Sequence, residues 1–241
     1  MAPRLPGRVV PLVRRGDRPV CVLLPGAGGG LNPYLRLAAV LAPTHNVCVV
    51  RAAGLVPTEA PEESIDQMAE AALAALDADG LAPAAVFGWS LGGAVAWEIC
   101  VRLADRGSRP DLVLVDASPL PRDSTAEDDT RIRETIVAML GPRPEPDTVD
   151  RVRRVFDAQV AALAVYRSER GYPGRVLLLM CTDDEFTFRP RAERRWRELA
   201  PDLRAGRLDA GHFEVLEAEH LPQLTERIVP FLDPATQEAV R

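Results

Sequence analysis

The chain has 241 residues, of which 47% are hydrophobic and 27% charged, and a formal net charge of −6. This length and composition predict one globular domain with its own core, and the acidic balance without a basic run excludes nucleic acid as an expected partner. All 29 basic residues are arginine, which excludes a Schiff-base lysine and the lysine of a phosphate-binding P-loop.

Short apolar runs alternate with stretches of helical periodicity along the chain. Buried strands are predicted over residues 20–24, 47–50, 84–87, 112–115 and 176–181. Helices are predicted over residues 64–76, 92–103 and 189–199. Because strands that alternate with helices pair in parallel, the pattern predicts an α/β fold with a mostly parallel sheet flanked by helices.

Residues 119–174 interrupt this alternation and contain no convincing strand. They hold charged helical patterns over 130–140 and 148–167, joined by a proline-rich segment. An insertion of this size between two strands indicates a helical lid, and the alternative is a plain pair of packing helices. The whole chain, 1–241, is then one domain with a lid insertion at about 119–174.

No apolar run approaches the roughly 18 residues that cross a bilayer, so no membrane association is expected. The apolar run after Arg14 and Arg15 is too short for an export signal. The cysteines lie in apolar stretches without metal-ligand spacing, which predicts buried, reduced thiols, no metal, and a cytoplasmic location. They are Cys21, Cys48, Cys100 and Cys181.

The most specific motif is Gly88-Trp89-Ser90-Leu91-Gly92, a G-x-S-x-G nucleophile elbow. An apolar strand precedes it and a helical pattern follows it, as such an elbow requires. The serine must sit on a tight turn that brings the flanking positions together, so both must be small. We therefore predict that Ser90 is a catalytic nucleophile.

A serine hydroxyl needs a base, and the chain has three histidines, His45, His212 and His220. His212 follows the last strand-like run and precedes a C-terminal helix, where an enzyme with this elbow carries its base. We predict His212 as the base, and His45 and His220 as solvated surface residues.

A carboxylate should orient that histidine, and the residues alone leave the choice open. Asp116 ends the strand predicted at 112–115, whereas Asp183 and Asp184 follow the strand at 176–181.

Backbone N–H groups should stabilise the oxyanion. One belongs to Leu91, after the nucleophile, and the other to Ala27 in the glycine-rich loop 25–30. A dinucleotide-binding loop starting at Gly26 would need glycine where Leu31 stands, so no cofactor is expected.

The glycine loop, the elbow, the strand ending in Asp116, the helical insertion and the late His212 occur in the order found in thioesterases of polyketide and nonribosomal peptide synthases. The chain resembles this family of α/β-hydrolases over nearly its whole length. The resemblance implies Asp116 as the acid, since synthase-terminal thioesterases place it there, whereas many editing thioesterases place it at the later strand. The sequence lacks the aromatic-proline signature that usually precedes the glycine loop in the editing type.

The resemblance also implies an activity: release of an acyl or peptidyl chain from the phosphopantetheine thioester of a carrier protein, by hydrolysis or cyclisation. A general serine esterase or metal-free haloperoxidase-like hydrolase would carry the same triad, and a non-catalytic binding module is a third hypothesis. The acyl chain and the choice between a separate protein and a terminal domain stay open.

Overall fold

The computed structural model describes residues 7–183 and 186–233. Its strands are β1 (Val9–Val13), β2 (Val20–Leu24), β3 (Asn46–Val50), β4 (Pro83–Trp89), β5 (Asp111–Val115), β6 (Val176–Cys181) and β7 (Leu203–Leu208). Its helices are α1 (Tyr34–Leu41), α2 (Ile65–Ala78), α3 (Leu91–Asp105), α4 (Ala126–Ala138), α5 (Pro146–Val165), α6 (Arg189–Leu199) and α7 (Leu221–Leu232).

The seven strands form one sheet in the order β1-β3-β2-β4-β5-β6-β7. Every neighbouring pair is parallel except β1 with β3, which is antiparallel. The expectation of a mostly parallel sheet flanked by helices is confirmed. Because the central strands run in parallel, their carboxyl ends lie along one edge of the sheet, where β4 and β5 deliver Ser90 and Asp116.

Both faces of the sheet are covered, because successive side chains of a strand point to opposite sides. In β2, Val22 and Leu24 belong to the buried apolar layer that includes residues of α2, α3 and α6, whereas Cys21 and Leu23 belong to the layer that includes residues of α1 and α7. All four cysteines are buried and free, as predicted. Two apolar layers therefore hold the central strands rigidly beneath the site.

Three elements were not predicted. Strand β1 lies at the edge, its register with β3 shifts around Pro11, and most of its residues are only partly buried. The other edge strand, β7, is half exposed and carries arginines. An edge strand needs no continuous apolar run, which is the signal that identified the inner strands. Helix α1 has only eight residues, too few for a clear period.

The insertion between β5 and β6 contains α4 and α5, both shifted toward the N-terminus from their predicted ranges. Thr125 forms a capping box with Asp128, so α4 begins at Ala126. Pro146 occupies the first turn of α5, where its missing N–H costs no hydrogen bond. The proline-rich segment thus starts the second helix as well as linking the two.

Candidate active site

Ser90 is the single residue between β4 and α3. Its φ of 56° and ψ of −122° are strained for a residue with a side chain. Its N–H donates to the carbonyl of Val115 at 2.9 Å, and its own carbonyl accepts from Gly93 at 2.9 Å. The sheet and the helix therefore hold the turn in place and present the hydroxyl at the N-terminus of α3.

The glycines that flank Ser90 are sterically required. A Cβ on Gly88 would stand 2.3 Å from the carbonyl oxygen of Gly92, and a Cβ on Gly92 would stand 2.1 Å from that of Leu24. Both contacts are with backbone atoms, which cannot relieve the clash by a change of rotamer. The elbow motif thus reflects close packing of β4, α3 and the end of β2.

His212 lies in the loop after β7, with its Nε2 3.1 Å from Ser90 Oγ. The ring is nearly buried, and Phe186 contacts it with its centroid 4.8 Å away. The indole N–H of Trp89 donates to the carbonyl of His212 at 3.1 Å, so the residue before Ser90 anchors the histidine loop. The imidazole is therefore fixed by contacts on several sides.

The structure places Asp116 against His212, with Oδ2 2.7 Å from Nδ1. With the proton on Nδ1, the imidazole donates to Asp116 and leaves Nε2 to accept from the Ser90 hydroxyl. Asp183, the alternative acid, accepts a hydrogen bond from Nη2 of Arg189 at 2.8 Å. Asp184, the other alternative, lies outside the described residues.

Arg189, the first residue of α6, also binds Asp116. Its Nε and Nη2 donate to the two carboxylate oxygens, each at 2.7 Å. Burial by itself raises the pKa of Asp116, but the hydrogen bonds from Arg189 and His212 outweigh it and hold this pKa well below its usual value. The carboxylate therefore stays ionised. Arg189 was not predicted from the sequence because it lies among several surface arginines of one helix.

The two predicted oxyanion donors, Ala27 and Leu91, line the same cavity as Ser90. In the glycine loop the N–H groups of Gly26, Gly28 and Gly29 donate to protein acceptors. For Ala27, which lines the cavity with Ser90 and Leu91, the described residues offer no such acceptor. Leu91 opens α3, so its N–H has no partner within the helix. Among the described residues, therefore, neither amide has a recorded protein acceptor, which is compatible with the predicted role.

The glycine loop is joined to the helical insertion. The N–H of Gly28 donates to Oε1 of Gln159 in α5 at 2.8 Å, and Gln159 is buried. A Cβ on Gly28 would stand 2.5 Å from the side chain of Ile136 in α4. No local pattern marks Gln159 in the sequence, because its partner is 131 residues away.

Ser90 and His212 line a cavity of about 600 Å³, and residues of the insertion line it too. Apolar side chains of α4 and α5 form part of its wall, and arginines lie among its lining. These residues include Ile132, Ile136, Phe156, Val160, Arg167 and Arg191. The cavity therefore suits a ligand with an apolar chain and polar substituents.

The other histidines lie elsewhere. His45 is buried and hydrogen-bonded to Thr44 at 2.9 Å, so the prediction that it is a solvated surface residue was wrong. Its burial lowers its pKa. His220 is partly exposed and lies 3.7 Å from Glu214. Composition of the turn around His45 suggested the surface, but the ring packs inward.

In the described part of the chain, no group of histidine, cysteine and acidic residues is arranged to hold a metal ion. Across residues 7–183 and 186–233 no helix is both long and apolar enough to span a membrane.

The sequence matches the family model for the thioesterase domain over residues 19–232. The chain belongs to the thioesterase family. It is therefore a thioester-cleaving hydrolase of the family that the sequence resembled. No curated protein matches the sequence significantly.

Solved structures of similar fold include a type II thioesterase, a thioesterase domain and a nonribosomal peptide synthetase. YbtT, a type II thioesterase from the yersiniabactin pathway, is 19% identical, with a TM-score of 0.72 over 94% of this thioesterase and 100% of that chain. The NocB thioesterase domain, in covalent complex with a fluorophosphonate nocardicin G analogue, is 26% identical, with a TM-score of 0.72 over 91% and 96%. The four-domain nonribosomal peptide synthetase AB3403 is 22% identical over 92% of this chain and 20% of its own, with a TM-score of 0.75. The fold is that of the α/β-hydrolases.

Proposed function

We propose that Ser90, His212 and Asp116 form a catalytic triad that releases an acyl or peptidyl chain from a carrier-protein thioester through a Ser90 acyl-enzyme. The observation that carries this proposal is the continuous hydrogen-bonded series from Asp116 through His212 to Ser90, at 2.7 and 3.1 Å, at the floor of the cavity. Each step follows from these contacts.

In the first step Nε2 of His212 takes the hydroxyl proton while Oγ of Ser90 bonds to the thioester carbonyl carbon. The carbonyl oxygen becomes an oxyanion, which accepts hydrogen bonds from the N–H groups of Ala27 and Leu91. When the C–S bond breaks, the leaving sulfur takes the proton from His212. The acyl group then remains on Ser90 as an ester.

In the second step a hydroxyl or amine of the acyl chain, or water, attacks that ester while His212 takes its proton. Collapse of the second oxyanion breaks the bond to Ser90, and His212 returns the proton to Oγ. Water gives the free acid, and an internal nucleophile gives a ring. Loss of one oxyanion donor in related sites costs about 10²–10³-fold in kcat.

The substrate we propose is an acyl chain on the phosphopantetheine arm of a carrier protein. This substrate is supported by the family match and by solved structures of similar fold that belong to nonribosomal peptide and polyketide synthesis. We also propose that residues 1–241 form one domain in which the insertion at about 119–174 acts as a lid, because side chains of α4 and α5 line the cavity. Four buried thiols fit a reducing cytoplasm.

Two measurements with one preparation test this proposal. A fluorophosphonate probe should label Ser90, and S90A should prevent labelling. A short acyl thioester of N-acetylcysteamine should be hydrolysed faster than the oxygen ester of the same acyl group. Equal rates on both would favour a general esterase, whereas failure of the folded protein to react with the probe would favour a non-catalytic binding module.

A further inference from the structure

The catalytic acid of this site has a second buried ionic partner. The guanidinium of Arg189 binds both oxygens of Asp116, and its side chain is only 6% exposed. This fork-to-fork arrangement is the geometry in which an arginine fixes the plane of a carboxylate. Asp116 also accepts from the backbone N–H of Cys181 at 3.1 Å. One direction is then left for the hydrogen bond from His212.

Arg189 also fastens one wall of the site. Its Nη1 donates to the backbone carbonyl of Asp183 at 2.6 Å, and its guanidinium lies 5.6 Å from the ring centre of Phe186. Phe186 in turn contacts His212. A single side chain therefore joins the acid, the end of β6 and the ring beside the base.

The charged and titratable groups near His212 come from several elements. Asp116 ends β5, Asp183 follows β6, Arg189 begins α6, and the thiol of Cys181 lies next to Asp116. Charged side chains of the insertion, and Arg191 of α6, also line the cavity. Within this cluster, with His212 neutral, the two carboxylates and the guanidinium sum to one negative charge. Without Arg189 two would remain, and this change favours the protonated imidazole.

We propose that Arg189 is a positioning residue for the reaction: it directs Asp116 at His212 and offsets its charge, and so sets the pH range in which His212 acts as a base. The proposal rests on the proposed triad. A purely structural arginine would support folding but leave the pH dependence of the reaction unchanged.

The test compares R189M, which removes the charge, with D183N, which removes an opposite one. For each we measure the pH profile of kcat/KM on the N-acetylcysteamine thioester. Removal of a charge this close should move the acid limb by on the order of one pH unit. The limb should move to higher pH in R189M and to lower pH in D183N.

Two further variants separate orientation from charge and control for folding. R189K keeps the charge but loses the paired hydrogen bonds to Asp116. The acid limb of its pH profile should stay near that of the wild type, while kcat falls about tenfold or more. R194M removes an exposed arginine from the same helix and should change neither quantity. Thermal unfolding identifies any variant that fails to fold. If R189M does not fold, R189K and D183N still test the role of Arg189.

An acid limb that stays unchanged in folded R189M, or that moves to higher pH in D183N, would overturn the proposal. Probe labelling of Ser90 in the wild type is measured separately. If that labelling fails, the proposed triad is at fault, whereas normal labelling with unmoved pH profiles removes only the role of Arg189.

Discussion

Two residues of the site share an unusual backbone conformation. Ser90 and Asp116 are non-glycine residues with positive φ, 56° and 45°, and each directly follows a strand of the sheet. Hydrogen bonds across the sheet hold both: Ser90 donates to Val115 at 2.9 Å and Asp116 to Leu179 at 2.8 Å. Such strain persists only where the surrounding structure over-determines it. The directions of the Ser90 and Asp116 side chains are therefore set by the strand ends.

If Asp116 is the acid, D116N should lower kcat by about 10⁴-fold, because an asparagine does not hold the imidazole in the required tautomer. D183N, at the alternative acid, should cost far less. Steady-state kinetics on the N-acetylcysteamine thioester measures both. A larger loss in D183N than in D116N would transfer the role of acid to the later strand.

Glycine at position 92 should be indispensable for the elbow. G92A places a Cβ 2.1 Å from a backbone carbonyl oxygen, whereas a Cβ at Gly30 meets nothing within 4 Å. We expect G92A to lower the free energy of unfolding by about 2 kcal/mol or more and to abolish probe labelling. G30A is the matched control, and urea unfolding checks both. An undisturbed G92A would mean that the elbow is not so tightly packed.

Sequence reasoning reached Ser90 and His212 because each lies in a local pattern with the right neighbours. The residues alone left the acid open, since the distance between His212 and a carboxylate depends on the sheet order, and only the family resemblance favoured Asp116. Arg189 and Gln159 were missed for a related reason. Their partners are 73 and 131 residues away, and nothing in their own segments distinguishes them.

At the scale of elements, the helical insertion contacts the loop that supplies Ala27. Gln159 of α5 accepts from the N–H of Gly28, and Ile136 of α4 packs against the same glycine. The position of the insertion therefore bears directly on the orientation of the Ala27 amide. If Ala27 is an oxyanion donor, as we propose, this contact joins the insertion to the loop that carries the donor.

We expect Q159L to lower kcat about tenfold while leaving probe binding possible, because a buried N–H without an acceptor costs about 1–3 kcal/mol and loosens the loop. Q159E keeps an acceptor oxygen and should retain more activity. Q67L, at an exposed glutamine of α2, serves as the control. Wild-type kcat in Q159L would show that the loop holds its shape without α5.

The elements predicted most accurately from the sequence are those that are buried. Strand β6 matches its predicted range because all six residues are buried, and a strand covered on both faces has a continuous apolar sequence. Strand β7, at the edge, has no such run. The bounds of α4 and α5 were shifted because Thr125 and Pro146, which start them, lie before the apolar pattern begins.

At the scale of the whole molecule, the ion pair of Asp116 and Arg189 lies where β5, β6 and α6 meet. The folded protein holds the pKa of Asp116 well below the value of about 3.9 expected in the unfolded chain. At pH values above the unfolded pKa, the ion pair therefore makes its full contribution to the free energy of unfolding. The contribution is lost as pH falls through the folded pKa, because the unfolded state then binds the proton first.

Urea unfolding between pH 7 and pH 2 tests this linkage. Below about pH 4 the wild type should lose up to about 1.4 kcal/mol per pH unit through Asp116, and D116N should show a shallower decline. D202N, at an exposed aspartate, should follow the wild type. Parallel curves for D116N and the wild type would contradict a depressed pKa in the folded state.

In the proposed mechanism an acyl group passes from a thioester to Ser90. The direct measurement mixes the protein with an acyl chain loaded on the phosphopantetheine arm of a carrier protein, quenches with acid within milliseconds to seconds, and maps the modified peptide by mass spectrometry. We predict an acyl mass on the peptide containing Ser90 in the wild type, and neither adduct nor release in S90A. Release at the wild-type rate by S90A, or an acyl group on another residue, would contradict the account.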